Sequence, residues 1–173
     1  RVLFRSYYHQ TSAERGGIWR NRARPPQKLT GVGFTTQGFD ECHPYLRMPD
    51  SYHKSVAWIF DSVEGEVFGD FGLALGGAAG LETERYDLQL GTPPHTKLLA
   101  SSTSYSDNYA GVVEDILFNH PGTLGTQNDT VRADMTYFTT ANNGAVFSTG
   151  SIAWISALPC FDFENNVSDR KST

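Results

Sequence analysis

The 173 residues are 39% hydrophobic and 19% charged, with a formal net charge of −5; this balance excludes a disordered chain and suits a globular one long enough to bury a core. No apolar run approaches the roughly 20 residues a helix needs to cross a bilayer, so no membrane contact is expected. Arg1, Arg5, Arg15, Arg20, Arg22, Arg24 and Lys28 make the first thirty positions basic, but Pro25-Pro26 breaks this cluster and the rest of the chain is acidic. An acidic body repels phosphate, so these side chains are expected to pair with carboxylates rather than to bind nucleic acid.

Cys42 and Cys160 are the only cysteines, too few for a disulfide framework and in no C-x-x-C pair. Both read as free thiols in a reducing compartment, and the opening stretch Arg1-Val-Leu-Phe-Arg5 is too short for the apolar region of an export signal. The expected setting is therefore the cytoplasm, where the N-x-[ST] triplets at Asn128 and Asn166 carry no weight as glycan acceptors. Without an initiator Met, the chain reads as one domain, residues 1–173, cut from a larger protein.

In chain order, residues 29–34 (Leu-Thr-Gly-Val-Gly-Phe) form an apolar run between Pro-Pro and a polar stretch, which predicts a strand. Residues 38–55 are rich in Pro, Asp and His and predict a long loop. Val56-Ala-Trp-Ile-Phe60 is continuously apolar and suits a strand buried on both faces. Lys97-Leu-Leu-Ala-Ser101, entered from Pro93-Pro94, predicts another strand. Over 107–118, Tyr109, Val112, Val113, Ile116 and Leu117 fall on one face of a helix that Ser106 or Asp107 could cap. Residues 133–139 then alternate in hydrophobicity, Asn142-Asn143-Gly144 supplies a turn, and residues 145–148 return as a hairpin. Asn165-Asn166-Val-Ser168 reads as a helix start. This order predicts an α/β fold, a mixed sheet with helices.

The segment 69–80 holds five glycines and leads directly to Glu82. Glycines let a backbone turn sharply and approach another group closely, which serves a ligand cradle and a tightly packed turn equally. No phosphate-binding fingerprint is present. A carboxylate following small and apolar residues can be partly desolvated, as a general base requires; a solvated Glu82 opening the polar run Glu82-Thr-Glu84-Arg85 is the plainer alternative. Tyr7, Tyr8, His9 and Glu14 supply oxygen and nitrogen donors of the kind that suit iron, but at a spacing matching no local metal motif. His43, His53, His95 and His120 lie in loop-like contexts and read as surface residues. Neither a G-x-S-x-G elbow nor an H-E-x-x-H helix occurs.

The chain closely resembles the C-terminal region of the N,N-dimethylformamidase large (β) subunit family over about residues 7–168. The likeness is carried by Gly16-Gly-Ile-Trp-Arg20, Arg24-Pro-Pro-Gln-Lys-Leu-Thr-Gly-Val-Gly-Phe34, Gln37-Gly-Phe-Asp40, Arg47-Met-Pro-Asp50 and Ala57-Trp-Ile-Phe60. It continues through Gly69-Asp-Phe-Gly72, Gly76-Gly-Ala-Ala-Gly-Leu-Glu82, Gly91-Thr-Pro-Pro-His95, Ser106-Asp-Asn-Tyr109, Arg132-Ala-Asp-Met135, Gly144-Ala-Val-Phe-Ser148 and Gly150-Ser-Ile-Ala-Trp154. Arg1–Ser6 does not fit the family pattern.

The resemblance implies the C-terminal part of an iron-dependent amide hydrolase that cleaves N,N-dimethylformamide or a similar small formamide to formate and a secondary amine. It implies a class I glutamine amidotransferase-like α/β portion, a small partner subunit and further large subunits. It also implies a mononuclear non-haem iron held by two tyrosines and a carboxylate, expected upstream of residue 1, so that the isolated piece is inactive. Glu82 matches a family glutamate beside the iron and is expected to act as general base or proton shuttle, not as a metal ligand. Two other readings stand beside this one: a non-catalytic packing or subunit-interface domain, and a carbohydrate-binding module suggested by 13% aromatic residues.

Overall fold

A computed structural model describes residues 23–113, 116–117, 121–158 and 167. Pro26 caps a single-turn helix, α1 (Gln27–Thr30), which Gly31 ends in the left-handed region at φ 83°. The chain then enters the long strand β1 (Gly33–His43), followed by β2 (Tyr45–Arg47), β3 (Val67–Phe68), β4 (Ala79–Arg85) and β5 (Lys97–Ser102). Strands β6 (Ala110–Val113), β7 (Ile116–Leu117), β8 (Ala133–Thr139) and β9 (Ala145–Ser148) follow. They form two sheets, in the orders β4-β1-β6-β7 and β3-β2-β5-β8-β9, and the paired strands run antiparallel. The fold of the described residues is thus mixed but mostly sheet, with few and short helices.

The main core lies against the five-stranded sheet, where Tyr45, Leu99 and Met135 meet Val56, Phe60 and Phe68. Burying a side chain of this size contributes roughly 1.5–3 kcal/mol. Tyr45 satisfies its hydroxyl by donating to the Thr149 carbonyl at 2.6 Å. A second, aromatic cluster joins Tyr105, Tyr109 and Val131.

Two predicted elements are present as expected. Residues 97–101 lie within β5, and the 133–148 hairpin forms as β8 and β9 with Asn143 left-handed at φ 60° in its turn. Several others are corrected. The helix predicted over 107–118 is instead strands β6 and β7. Gly111 and the β-branched Val112 and Val113 are weak helix formers, and pairing of Gly111 and Ala110 with Thr36 and Gln37 takes the backbone into the sheet. The side chains predicted to cap that helix are committed elsewhere: Ser106 Oγ donates to Asp40 at 2.6 Å, and Asp107 accepts from the Thr126 amide at 3.0 Å.

Residues 57–60 form a 3-10 helix rather than a strand, with Val56 and Phe60 buried but Trp58 60% exposed. A five-residue apolar run fits either element by periodicity alone. Within 29–34, α1 and its cap displace the strand start to Gly33, and the predicted loop 38–55 contains the end of β1, all of β2 and a 3-10 helix, Pro49–Tyr52. The expected helix start at 165–168 lies outside the described residues except for Val167. Among the described residues no helix is long and apolar enough to cross a membrane.

Candidate functional site

The glycine-rich segment closes on itself before reaching Glu82. The Ala78 amide donates to the Gly69 carbonyl at 2.9 Å and Gly72 bridges Gly76, so residues 69–78 form a tight turn and β4 starts at Ala79. At Gly80 (φ 159°) a Cβ would sit 2.5 Å from Cys42 Sγ and 2.7 Å from the Tyr109 hydroxyl. Only glycine permits that approach. Of the two uses open to the segment, close packing is the one seen among the described residues.

Strand β4 then pairs with β1 through an irregularity: Cys42 faces Gly80 and Gln37 faces Glu82, so residues 38–41 loop out of register. Such a bulge-like break in the ladder re-aims side chains. Tyr109, fully buried from β6's approach, fills the gap. Its hydroxyl accepts from the Leu81 amide at 2.8 Å and donates to the Glu41 carbonyl. Leu81 is held at φ 64°, and the two residues that flank Thr83, Glu82 and Glu84, emerge on one strand face. Thr83 points the other way and is buried against Thr36, hydroxyl to hydroxyl.

Glu82 and Glu84 open into a groove of about 470 Å³ lined also by Phe34, Phe147, Ser151 and Ile152. Its far wall, residues 148–151, is tied to β4 by the Glu84 amide donating to the Gly150 carbonyl at 2.8 Å and by the Gly80 amide donating to Ser151 Oγ at 2.8 Å. Gly150 (φ 72°) lies so close to the Asp134 backbone that a Cβ would overlap it. The rim is apolar, with Phe147 and Ile152 each about half exposed.

The two carboxylates differ in environment. Glu82 is exposed, which agrees with the plainer of its two readings, a solvated carboxylate opening a polar run, and Glu84 is half-buried. Burial, and then the neighbouring charge of Glu82, raise the Glu84 carboxyl above its ordinary pKa of 4.5. Sequence reading passed over Glu84 as part of a polar run. The available signal was the alternation Leu81-Glu82-Thr83-Glu84, which in a strand puts both acids on one side.

Among the described residues no three His, Cys, Asp or Glu side chains gather closely enough to hold a metal ion. Tyr7, Tyr8, His9 and Glu14 lie outside the described residues, as do His120 and Cys160. Cys42 is a free, buried thiol. His53 and His95 are exposed as expected, whereas His43 is half-buried, stacked on Tyr105 at 4.8 Å and 3.2 Å from Glu41. Of the basic cluster only Arg24 and Lys28 are described, and Lys28 Nζ donates to the Ala23 carbonyl at 3.2 Å.

A family model described as "N,N-dimethylformamidase beta subunit-like, C-terminal" matches residues 4–169, so the match begins within Arg1–Ser6 and corrects the exclusion of that whole stretch. The chain is 49% identical over 163 residues to the N,N-dimethylformamidase beta subunit of Paracoccus aminophilus, covering 94% of this chain and 21% of that one. It is 48% identical over the same length to the N,N-dimethylformamidase beta subunit of an Alcaligenes species, with the same coverage. The chain thus spans about a fifth of the length of the curated relatives it matches.

Proposed function

As this chain belongs to the N,N-dimethylformamidase beta subunit-like C-terminal family, we propose that it supplies one wall of the active site of an amide hydrolase that converts N,N-dimethylformamide, or a similar small formamide, to formate and a secondary amine. The observation that carries this reading is identity near one half to two dimethylformamidase beta subunits across nearly the whole chain. Glu82 is the catalytic residue. It stands on β4 at a groove whose apolar rim, Phe147 and Ile152, can receive the N-methyl groups.

In this reading Glu82 takes a proton from water as the water oxygen bonds to the formyl carbon. The same proton passes to the amide nitrogen as the carbon–nitrogen bond breaks, releasing the amine. General base and acid assistance of this kind contributes typically 10²–10⁴-fold. The iron belongs to the proposal through the resemblance only, bound by two tyrosines and a carboxylate outside the described residues, and no step is drawn through it. Residues 1–173 are likewise assigned, through the resemblance only, to the C-terminal part of a class I glutamine amidotransferase-like α/β domain. Partners in this reading are a small subunit and further large subunits, in the cytoplasm, and the isolated piece releases no formate.

A second reading, an interface domain without a catalytic role, is favoured by one feature. Leu73 and Ile155 are 63% and 74% exposed, and the Leu73 amide donates to the Ser156 carbonyl at 3.0 Å, which brings the two exposed side chains into one neighbourhood. Glu82→Gln in the full-length enzyme with its partner subunit separates the readings. Formate release should fall by about 10²-fold or more while iron content is retained. Unchanged turnover with iron in place would leave the interface reading.

A further inference from the structure

The peptide unit between Gly80 and Leu81 is held at both edges by hydroxyls from distant parts of the chain. Ser151 Oγ donates to the Gly80 carbonyl at 2.9 Å, and the Tyr109 hydroxyl accepts from the Leu81 amide at 2.8 Å. Ser151 Oγ also accepts from the Gly80 amide at 2.8 Å, so it fixes the peptide on either side of Gly80. Glu82 follows directly. We infer that Ser151 is a positioning residue for the reaction assigned to Glu82: by clamping the 80–81 peptide it fixes the direction in which the Glu82 carboxylate leaves β4. This inference rests on the proposed function.

The clamp has a motion to oppose. A flip of the 80–81 peptide changes ψ at Gly80 and φ at Leu81. Gly80 has no Cβ to resist it. Leu81 stands at φ 64°, in the left-handed region, where a residue with a Cβ stays only when its surroundings hold it. Flipping would relieve Leu81, and the hydrogen bonds at the two edges of the peptide prevent it. The ladder with β1 is no substitute at this point. Its pairs are Cys42 with Gly80 and Gln37 with Glu82, so the break in register lies between the residue Ser151 holds and the residue that reacts.

Ser151 is itself well anchored. It stands before the 3-10 helix Ile152–Ala157 and caps it, accepting from the Ala153 amide at 3.1 Å. Two accepted bonds and one donated bond are what a single hydroxyl can make. Ser151 also bridges Thr83, and the Gly150 carbonyl beside it accepts from the Glu84 amide at 2.8 Å. Because Ser151 lines the same groove as Glu82 and Ile152, one side chain sets the relation between the carboxylate and the apolar rim. Those two features must face one substrate.

The test is a double-mutant cycle in the full-length enzyme with its partner subunit. Ser151→Ala should lower kcat for dimethylformamide on the order of tenfold with KM little changed, since misplacing a proton-transfer group is felt in the transition state. In the Glu82→Gln background the same substitution should cost less than about twofold, because the group that Ser151 aims is already gone. A residue that merely packs lowers turnover alike in both backgrounds. Ser151→Thr keeps the hydroxyl on an extended backbone, φ −153° and ψ 136°, which suits a β-branched residue, and should restore most of the turnover. Hydrogen exchange at the Gly80 amide gives a readout independent of activity: faster in Ser151→Ala, unchanged in Glu82→Gln. Undiminished kcat in Ser151→Ala, an equal loss in both backgrounds, or unaltered exchange at Gly80 overturns the inference. Undiminished turnover of Glu82→Gln by itself instead overturns the proposed function, while exchange at Gly80 still reports on the clamp.

Discussion

The Tyr109 hydroxyl accepts the Leu81 amide at 2.8 Å and on its other side donates to the Glu41 carbonyl, so a side chain just ahead of β6 replaces ladder bonds missing between β1 and β4. Tyr109 is fully buried, and a Cβ at Gly38 would overlap its ring. The bulge in β1 and the aromatic that fills it are therefore one device, and its product is the direction in which Glu82 and Glu84 face.

Tyr109→Phe tests that device. The ring stays but the hydroxyl goes, leaving the Leu81 amide and the Glu41 carbonyl without their partner. A buried polar group left unsatisfied costs about 1–3 kcal/mol. The expected loss is about 2 kcal/mol in urea unfolding, together with faster hydrogen exchange at the Leu81 amide. A loss below about 0.5 kcal/mol would mean that solvent reaches the bulge and that Tyr109 acts through its ring alone.

Gly150→Ala probes the opposite wall of the groove. At φ 72° an alanine is strained by roughly 1–2 kcal/mol, and its Cβ would overlap the Asp134 backbone. Overpacking at such a place typically adds 1–3 kcal/mol. The combined expectation is a destabilisation of about 2–4 kcal/mol, read as a lowered urea midpoint. If the wall relaxes instead, the Glu84 amide loses its 2.8 Å bond to the Gly150 carbonyl, and that amide should exchange faster at little cost in stability.

Different parts of this molecule were legible to different degrees. The β8–β9 hairpin could be read because its signals are local: alternation from Ala133 to Tyr137 and an Asn-Asn-Gly turn. Strands β6 and β7 could not. Tyr109 and Val112 are both buried, and a spacing of three suits one helix face as well as a strand beside a bulge. What decides the matter is pairing with Thr36 and Gln37, more than seventy positions earlier. The site divides in the same way. Glu82 was visible from the glycines before it and from the family resemblance, and Glu84 was hidden until β4 was known to be a strand. The groove itself is non-local, since Ser151 reaches Gly80 across 71 positions.

Glu84 also makes a prediction about stability. Its folded-state pKa lies above the ordinary 4.5 because burial and the charge of Glu82 disfavour the carboxylate. A group whose folded pKa is raised binds its proton more tightly in the native state than in the unfolded one. Its stabilising contribution is therefore complete below about pH 4.5 and is lost as pH rises through the folded value. Glu84→Gln removes that titration while keeping shape and hydrogen-bonding capacity. Relative to the parent, the variant should gain stability as pH is raised from 4 to neutral, with a slope no steeper than about 1.4 kcal/mol per pH unit for one proton. Urea midpoints of parent and variant across this range measure the difference, from which carboxylates common to both, such as the hydrogen-bonded Asp40 and Asp87 with lowered pKa, cancel. A difference that stays flat over the range, or that shrinks as pH rises, would place the Glu84 carboxyl in water rather than in the wall of the groove.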